Sequence, residues 1–212
     1  MDHYNHNHEH VHSTNVDPEI VRRDRRRLIS ITALQLGMTV VSGLIGKATA
    51  SPAFNSEMVH DMGDTVINGM RVGATYNNAE HTKWYARLRL FSYAAISGFG
   101  LYKAGVAVHD LFDVQPVAGF TDTTAIELGG AGVIAAGNMY SYRLSKKLES
   151  PTLTNSDSVR HNRMDRNVSL ATAAAITLGA FTPYVSELTG ITVGAYTAWH
   201  MRPTPHNLAH EH

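Results

Sequence analysis

Two histidine–aspartate pairs with the same spacing are the residues of this sequence best suited to chemistry. "SEMVHDMGD" places His60 four residues before Asp64, and "SVRHNRMD" places His161 four residues before Asp165. In a helix, residues four apart lie on one face, with Cβ atoms about 5–6 Å apart. Two such faces brought together would supply two imidazoles and two carboxylates, a four-coordinate N2O2 set suited to a tetrahedral ion such as Zn2+.

The spacing by itself is a weak signal, because His109 and Asp113 also fit it. That third pair lies at the end of an apolar segment, and we interpret it as a chance pair or a surface feature. For the other two pairs, the alternative is an ordinary polar contact between helices. Asn68 follows Asp64 by one further turn, so it is predicted either to support a ligand by a hydrogen bond or to make such an interhelical contact.

Composition excludes several kinds of site. The chain has 212 residues, with 18 basic and 18 acidic side chains, so its charge gives no argument for nucleic acid binding. It has no cysteine, which rules out disulfides and thiolate metal ligands. We find no Gly-rich phosphate loop and no Ser-His-Asp order, so we expect no enzymatic activity.

The elements that must carry the two pairs are apolar segments of a length that spans a bilayer as helix. Small residues, which allow close helix–helix approach in lipid, are plentiful in all of them. The sequence therefore predicts an all-α membrane protein, a six-transmembrane-helix bundle. The predicted segments are Leu28–Gly46, Asn55–Thr75, Trp84–Val108, Gly119–Leu144, Asp157–Phe181 and Tyr184–Met201.

The distribution of basic residues supports six spans with both termini cytoplasmic. "RRDRRR", "HTKWYARLR" and "RLSKKL" lie before the first segment and in alternate loops, whereas "ATASPAFNSE" and "HDLFDVQPVAGFTD" contain no Lys or Arg. This alternation is what the positive-inside rule predicts. The alternative is a soluble helical bundle, because only the first segment would pass a strict hydropathy test.

The two ends of the chain are rich in histidine. We expect residues 1–26 to be a flexible cytoplasmic tail, residues 27–203 the transmembrane domain, and residues 204–212 a second short tail. The first tail could bind metal weakly, or it could be a disordered segment or an expression tag. It does not resemble a signal peptide, so an inner membrane of the bacterial type is the expected location.

In the order and separation of these motifs the chain resembles the cation diffusion facilitator family over about residues 27–203. The family's second span carries a run similar to "SEMVHDMGD", and its fifth span a run similar to "SVRHNRMD". "HTKWYAR" keeps His81 and Arg87 of the loop that follows span two in the family. Asn138 in the fourth segment and the "WHM" that ends the sixth are also similar.

The resemblance implies export of a divalent cation from the cytoplasm by proton antiport, with a tetrahedral site between helices two and five. The implied ligands are His60, Asp64, His161 and Asp165. Zn2+ is the first choice of transported substrate, while Fe2+, Co2+, Ni2+, Cd2+ and Mn2+ remain open. Protons would be the counter-ion, the lipid bilayer the surroundings, and a homodimer a common assembly.

Three departures from the family pattern bear on these expectations. The chain ends at His212, shortly after span six, so we expect no C-terminal cytoplasmic domain, which puts dimerisation in doubt. Tyr85 replaces a loop histidine, so the family's additional loop site is expected to be absent. Arg160, Arg163 and Arg166 surround the proposed ligands, and an inward-facing Arg163 would oppose cation binding.

Other functions stay open on the sequence. The runner-up is a membrane metal-binding or sensor protein that does not transport. A metal-dependent membrane hydrolase would need a general base, for which Glu57 or Asp61 could serve. A soluble helical metal-storage bundle is the fourth reading. Glu57 also lies near the proposed ligands as an accessory residue, together with His81 in the following loop.

Overall fold

Six helices make up the chain in the computed structural model, which describes residues 17–77, 83–112, 122–149, 153–179, 184–200 and 202. No strand occurs within these ranges, as the sequence predicted. Each helix overlaps one predicted segment and extends it by a few residues at most, except the first. The helices are α1 (Pro18–Thr49), α2 (Pro52–Asn77), α3 (Lys83–Leu111), α4 (Asp122–Ser145), α5 (Leu153–Gly179) and α6 (Val185–His200).

The first helix begins well before the predicted boundary at residue 27. Asp17 caps it by accepting a hydrogen bond from the backbone N–H of Glu19 at 2.8 Å, and Pro18 occupies the first turn. Both are typical helix-start residues. The arginines that follow are good helix formers, so residues 18–26 continue the helix rather than forming part of a flexible tail. At the other end, Ala50 closes the helix with a positive φ of 54°.

A buried carboxylate ties the start of α1 to the end of α4. Both oxygens of Asp24 accept hydrogen bonds from the backbone N–H of Glu149, at 3.1 and 3.0 Å. Arg27 also contacts Asp24 at 3.2 Å and Glu149 at 3.1 Å. The N-terminal end of α1 and the C-terminal end of α4 therefore lie together at one end of the bundle.

The helices pack in pairs, and the pairs differ in how closely they meet. α1 packs along α2, α3 along α6, and α4 along α5. α2 also packs on α3 and α6, and α1 on α4. α2 and α5 face each other across the middle of the molecule with few close backbone approaches. The two helices that carry the histidine–aspartate pairs therefore meet through their side chains.

Two glycines set the close crossing of α3 and α6. A Cβ atom at Gly100 would lie 2.9 Å from the carbonyl oxygen of Gly194, and a Cβ atom at Gly194 would lie 2.9 Å from the backbone N of Ala104. The backbones touch here, so only a residue without a side chain fits. This crossing fixes the position of α6, whose last turns lie beside the histidine–aspartate pairs.

Many polar residues lie inside the bundle, and many large apolar residues lie on its outside. Buried polar or charged side chains outnumber buried apolar ones among the described residues. Meanwhile each helix presents large apolar or aromatic side chains outward. Examples that are more than half exposed, at least one from each helix, are Leu44, Tyr76, Phe91, Leu101, Val133, Leu178 and Trp199. A soluble bundle shows the opposite arrangement.

By length and composition alone, one described helix is a candidate membrane span. It is α1, where an 18-residue window has a mean hydropathy of 1.9 and 28% of the window is buried. This agrees with the prediction that only the first segment passes a strict hydropathy test. The architecture that the structure establishes is thus an all-helical bundle of six helices within the described ranges.

Candidate metal centre

The structure brings together the two predicted pairs, one from α2 and one from α5. His60 Nε2 lies 3.5 Å from Asp64 Oδ2 and 3.3 Å from Asp165 Oδ1. His161 Nε2 lies 2.7 Å from Asp64 Oδ1 and 3.6 Å from Asp165 Oδ2. Each imidazole thus faces both carboxylates. All four side chains are buried, and His161, at 5% exposed, is the most accessible of them.

These separations suit a tetrahedral ion. Ligand distances of about 2.0–2.1 Å around a tetrahedral Zn2+ place neighbouring donor atoms about 3.3–3.4 Å apart. Three of the four nitrogen–oxygen distances lie between 3.3 and 3.6 Å. The donor atoms of His60, Asp64 and Asp165 all lie within 4.8 Å of one another. The fourth contact, from His161 to Asp64, is short enough to be a direct hydrogen bond and would lengthen around an ion.

Several nitrogen and oxygen atoms that could bind a metal between α2 and α5 make no hydrogen bond to any described residue. They are His60 Nε2, Asp64 Oδ2 and both carboxylate oxygens of Asp165. A buried polar atom left without a partner costs about 1–3 kcal/mol, more if it is charged. Native interiors rarely tolerate several such atoms in one place. A bound cation would use all of them at once, so this donor set fits a divalent metal ion.

Helix α6 orients the first histidine of the site. The Thr197 hydroxyl donates to the carbonyl oxygen of Val193 at 2.8 Å, so its oxygen is left to accept from His60 Nδ1 at 3.2 Å. His60 therefore carries its proton on Nδ1 and presents the lone pair of Nε2 to the carboxylates. A hydrogen bond of this kind fixes the tautomer and the ring orientation of a ligating histidine.

The second histidine is oriented by a ring stack on the same helix. His161 Nδ1 lies 2.8 Å from His200 Nε2, and the two rings are stacked with centroids 5.0 Å apart. Tyr196 stacks on the other side of His200 at 5.6 Å and meets His60 edge-on at 6.0 Å. When Nε2 of His161 is a metal ligand, its Nδ1 carries the ring proton and donates to His200.

Sequence reasoning did not assign a role to Thr197, Tyr196 or His200. They reach the site from a helix that carries no histidine–aspartate pair. A signal for them exists, since residues 196, 197 and 200 share one helix face and include the histidine of "WHM". Only the packing of α6 against α2 and α5 shows that this face is turned towards the ligands.

The predicted accessory residues have different outcomes. Asn68 donates to Gln35 on α1 and accepts from Arg71 at 2.9 Å, which is the interhelical polar contact named as its alternative. Among the described hydrogen bonds none joins Asn68 to a ligand, so the interhelical alternative is the one that the structure shows. Glu57 is fully buried one turn from His60. His81 lies outside the described residues.

The arginines of α5 do not enter the site. Arg160 and Arg163 are exposed, on the side of the helix away from His161 and Asp165. The Arg166 guanidinium lies over the ring of Tyr142, 4.6 Å from its centroid. Because α5 turns these arginines away from the site, they do not face the place where a cation would bind.

The third pair of the same spacing does not form a comparable site. The His109 side chain is 79% exposed and contacts Asp110 at 3.6 Å. Asp113 lies outside the described residues. Exposure of the histidine agrees with the interpretation of this pair as a surface feature.

No protein-family model matches this chain, and the comparison with curated proteins found no match. The resemblance to cation diffusion facilitators therefore stays a prediction from the quoted motifs. What the geometry provides is a buried set of two imidazoles and two carboxylates, held by three helices and rich in unpaired donor atoms.

Proposed function

We propose that this chain exports a divalent metal cation, with Zn2+ the first choice, across a membrane in exchange for protons. The observation that carries the proposal is the convergence of four buried ligands from α2 and α5, with donor atoms left free for an ion. Two imidazoles in the set favour Zn2+ over harder ions such as Mg2+.

Placement in a membrane is supported by the inverted polarity of the bundle. Its helices turn large apolar side chains outward, while acidic side chains such as Asp61 and Asp165 are fully buried. Ionisable groups inside a membrane protein usually face the bundle interior and lie on an ion or proton path. The arginines near the start of α1 and the lysines at the end of α4 would lie on the cytoplasmic side.

The packing supports a mechanism in which the site opens between two groups of helices. The ligands lie across the sparse contact between α2 and α5, while α2 is well packed on α1 and α6, and α5 on α4. An apolar cavity of about 360 Å3 also separates α5 from α6, lined by residues that include Val168, Leu188 and Tyr196. Movement of α4 and α5 against the other helices would separate the two pairs while α1–α2, α3–α6 and α4–α5 stay packed, and it would require α4 to shift on α1.

Exchange for protons follows from the ligand chemistry. Metal binding requires neutral imidazole and ionised carboxylate, so an ion and protons compete for the same four residues. Histidine titrates near neutrality, so the exchange can take place at physiological pH. Protons arriving from outside would release the metal, and their release to the cytoplasm would restore the empty site.

The test is Zn2+ uptake into proteoliposomes whose lumen is more acidic than the medium. We expect gradient-dependent uptake by the unchanged chain and its loss in Asp165→Ala. Asp110→Ala is the matched control, because Asp110 lies at the end of α3 with its side chain 45% exposed. That variant should transport normally.

Two other results would contradict export. Zinc binding without flux would favour the metal-binding or sensor function, which uses the same ligands. A folded chain that showed neither zinc binding nor zinc flux would contradict the proposed metal site itself.

A further inference from the structure

A second group of buried polar side chains lies beside the four proposed ligands, towards the end of the bundle where α1 joins α2. On α2, Glu57 and Asp61 are one turn apart, and both are buried, at 1% and 0% exposed. Residues four apart share a helix face. The same face continues to Asp64, so the carboxylates of α2 form a row that leads away from the metal centre.

Each carboxylate of this pair is held by a hydroxyl from a different helix. The Ser42 hydroxyl of α1 donates to Asp61 Oδ2 at 2.9 Å, and the Ser169 hydroxyl of α5 donates to Glu57 Oε1 at 3.1 Å. Neither carboxylate forms an ion pair with a described Lys, Arg or His within 4.0 Å. The two carboxyl groups are thus fixed in orientation by hydroxyls rather than by basic side chains.

An independent polar group from α4 is joined to this pair through Ser169. Asn138 is 1% exposed, and its Nδ2 donates to Ser169 Oγ at 2.6 Å, on the far side of the hydroxyl that holds Glu57. This leaves Asn138 Oδ1 without a hydrogen bond to any described residue. Glu57 Oε2 and Asp61 Oδ1 are unpartnered in the same way.

We propose that Glu57, Asp61 and the amide oxygen of Asn138 form a second subsite for a divalent cation, built only from oxygen atoms. Two carboxylates match the charge of such an ion, and the free oxygens supply ligands that the fold otherwise leaves unpaired. Naming the transported ion as its occupant rests on the proposed function. An oxygen-only set binds Zn2+ less selectively than the N2O2 set, as suits an ion in passage rather than one in a resting site.

The two sites are lined by different helices. The histidine–aspartate site is completed by α6, through Thr197 and His200. The oxygen-only subsite is enclosed by α1 and α4, through Ser42 and Asn138. An ion moving from the first site to the second would therefore stay between α2 and α5 and pass from the α6 side to the α1 and α4 side.

The test uses the purified full chain in detergent, first loaded with one equivalent of Zn2+ and then titrated with Mn2+. Mn2+ prefers oxygen ligands and is counted by its paramagnetic resonance signal. We expect the Zn2+-loaded chain to bind one further Mn2+, and the double variant Glu57→Gln, Asp61→Asn to bind it at least about tenfold more weakly. Glu149→Gln, an exposed carboxylate, is the matched control and should leave Mn2+ binding unchanged.

A second variant distinguishes loss of the subsite from misfolding of the chain. Asn138→Asp adds a carboxylate at the same position, so it should tighten Mn2+ binding, which an unfolded chain could not do. Equal Mn2+ affinity in the unchanged chain and the double variant would overturn the subsite, as would no Mn2+ binding to the Zn2+-loaded chain. A failure of the proposed function would look different, because Mn2+ binding would persist while proton-coupled Zn2+ flux was absent.

Discussion

At the scale of single residues, the proposed metal site depends on which nitrogen of each imidazole faces the carboxylates. For His60, Thr197 sets the tautomer. The Thr197 hydroxyl donates its proton to the Val193 carbonyl, so its oxygen can only accept from Nδ1 of His60. His200 occupies the corresponding position behind His161. The spacing of the two histidine–aspartate pairs predicts the proposed ligands, whereas the groups that orient them come from α6.

Replacing Thr197 by valine tests that orienting role. The substitution keeps the shape but removes the oxygen that accepts from His60, so we expect zinc affinity to fall by about 10- to 100-fold. Titration calorimetry on the purified chain measures the change. Thr192→Val is the control, because the Thr192 hydroxyl is exposed and donates only within its own helix, to Leu188 at 2.7 Å. Equal affinity in both variants would contradict the role of Thr197.

The pH dependence of zinc binding follows from the two imidazoles. As pH falls through the range in which histidine titrates, protons displace the metal, so affinity weakens by up to about a hundredfold per pH unit if both rings protonate. His161→Gln leaves one ring and should reduce this to about tenfold per unit. His109→Gln, at an exposed histidine, should keep the full dependence. A slope unchanged by His161→Gln would remove that residue from the ligand set.

At the scale of helices, the position of α6 is set by its close contact with α3. Gly100 and Gly194 allow the two backbones to touch, and the same helix then delivers Thr197 and His200 to the ligands. Small residues at such crossings are typical of helix association in membranes. The orientation of the two ligand histidines therefore depends on a contact that includes neither of them.

Gly194→Ala tests this dependence. The added methyl group would meet the backbone N of Ala104 at 2.9 Å, so α6 must move away from α3, at a cost of about 1–3 kcal/mol in stability. We expect a lower midpoint of thermal unfolding in detergent together with weaker zinc binding. Gly105→Ala is the matched control on α3, where a Cβ atom meets nothing within 4 Å. There, the higher helix propensity of alanine should leave stability equal or slightly raised.

At the scale of the whole molecule, the two ends of the bundle should lie on opposite sides of a membrane. Arg27 and Asp24 hold the start of α1 beside Glu149, and Ala50 lies at the far end of the same helix. The 26 residue steps from Asp24 to Ala50 span about 39 Å as helix, which exceeds the roughly 30 Å of a bilayer's hydrocarbon core.

Single-cysteine labelling can check this arrangement cleanly, since the chain has no cysteine of its own. In intact cells, an impermeant maleimide should label Ala50→Cys, whereas Lys147→Cys should react only after permeabilisation. Each variant is the control for the other, because both positions are exposed. Labelling of both sites in intact cells would contradict the topology, and a chain recovered without detergent would contradict a membrane location.

Within the described residues, the sequence by itself determined the six helices and the side chains that meet at the centre. Helix length and start signals are local properties, and the spacing of His60 and Asp64, repeated in His161 and Asp165, places each pair on one face. The predicted start of α1 is too late, because the charged residues 19–27 suggest a tail, whereas Asp17 and Pro18 before them start a helix.

Only the tertiary structure decided how those faces are used. Which way Arg163 points, what Asn68 bonds, and which groups orient the imidazoles depend on the rotation of each helix against its neighbours. The same is true of the oxygen-rich group around Glu57 and Asp61, whose members come from α1, α2, α4 and α5. Spacing along one helix fixes what shares a face, but contact between faces is set by packing, such as the touching backbones at Gly100 and Gly194.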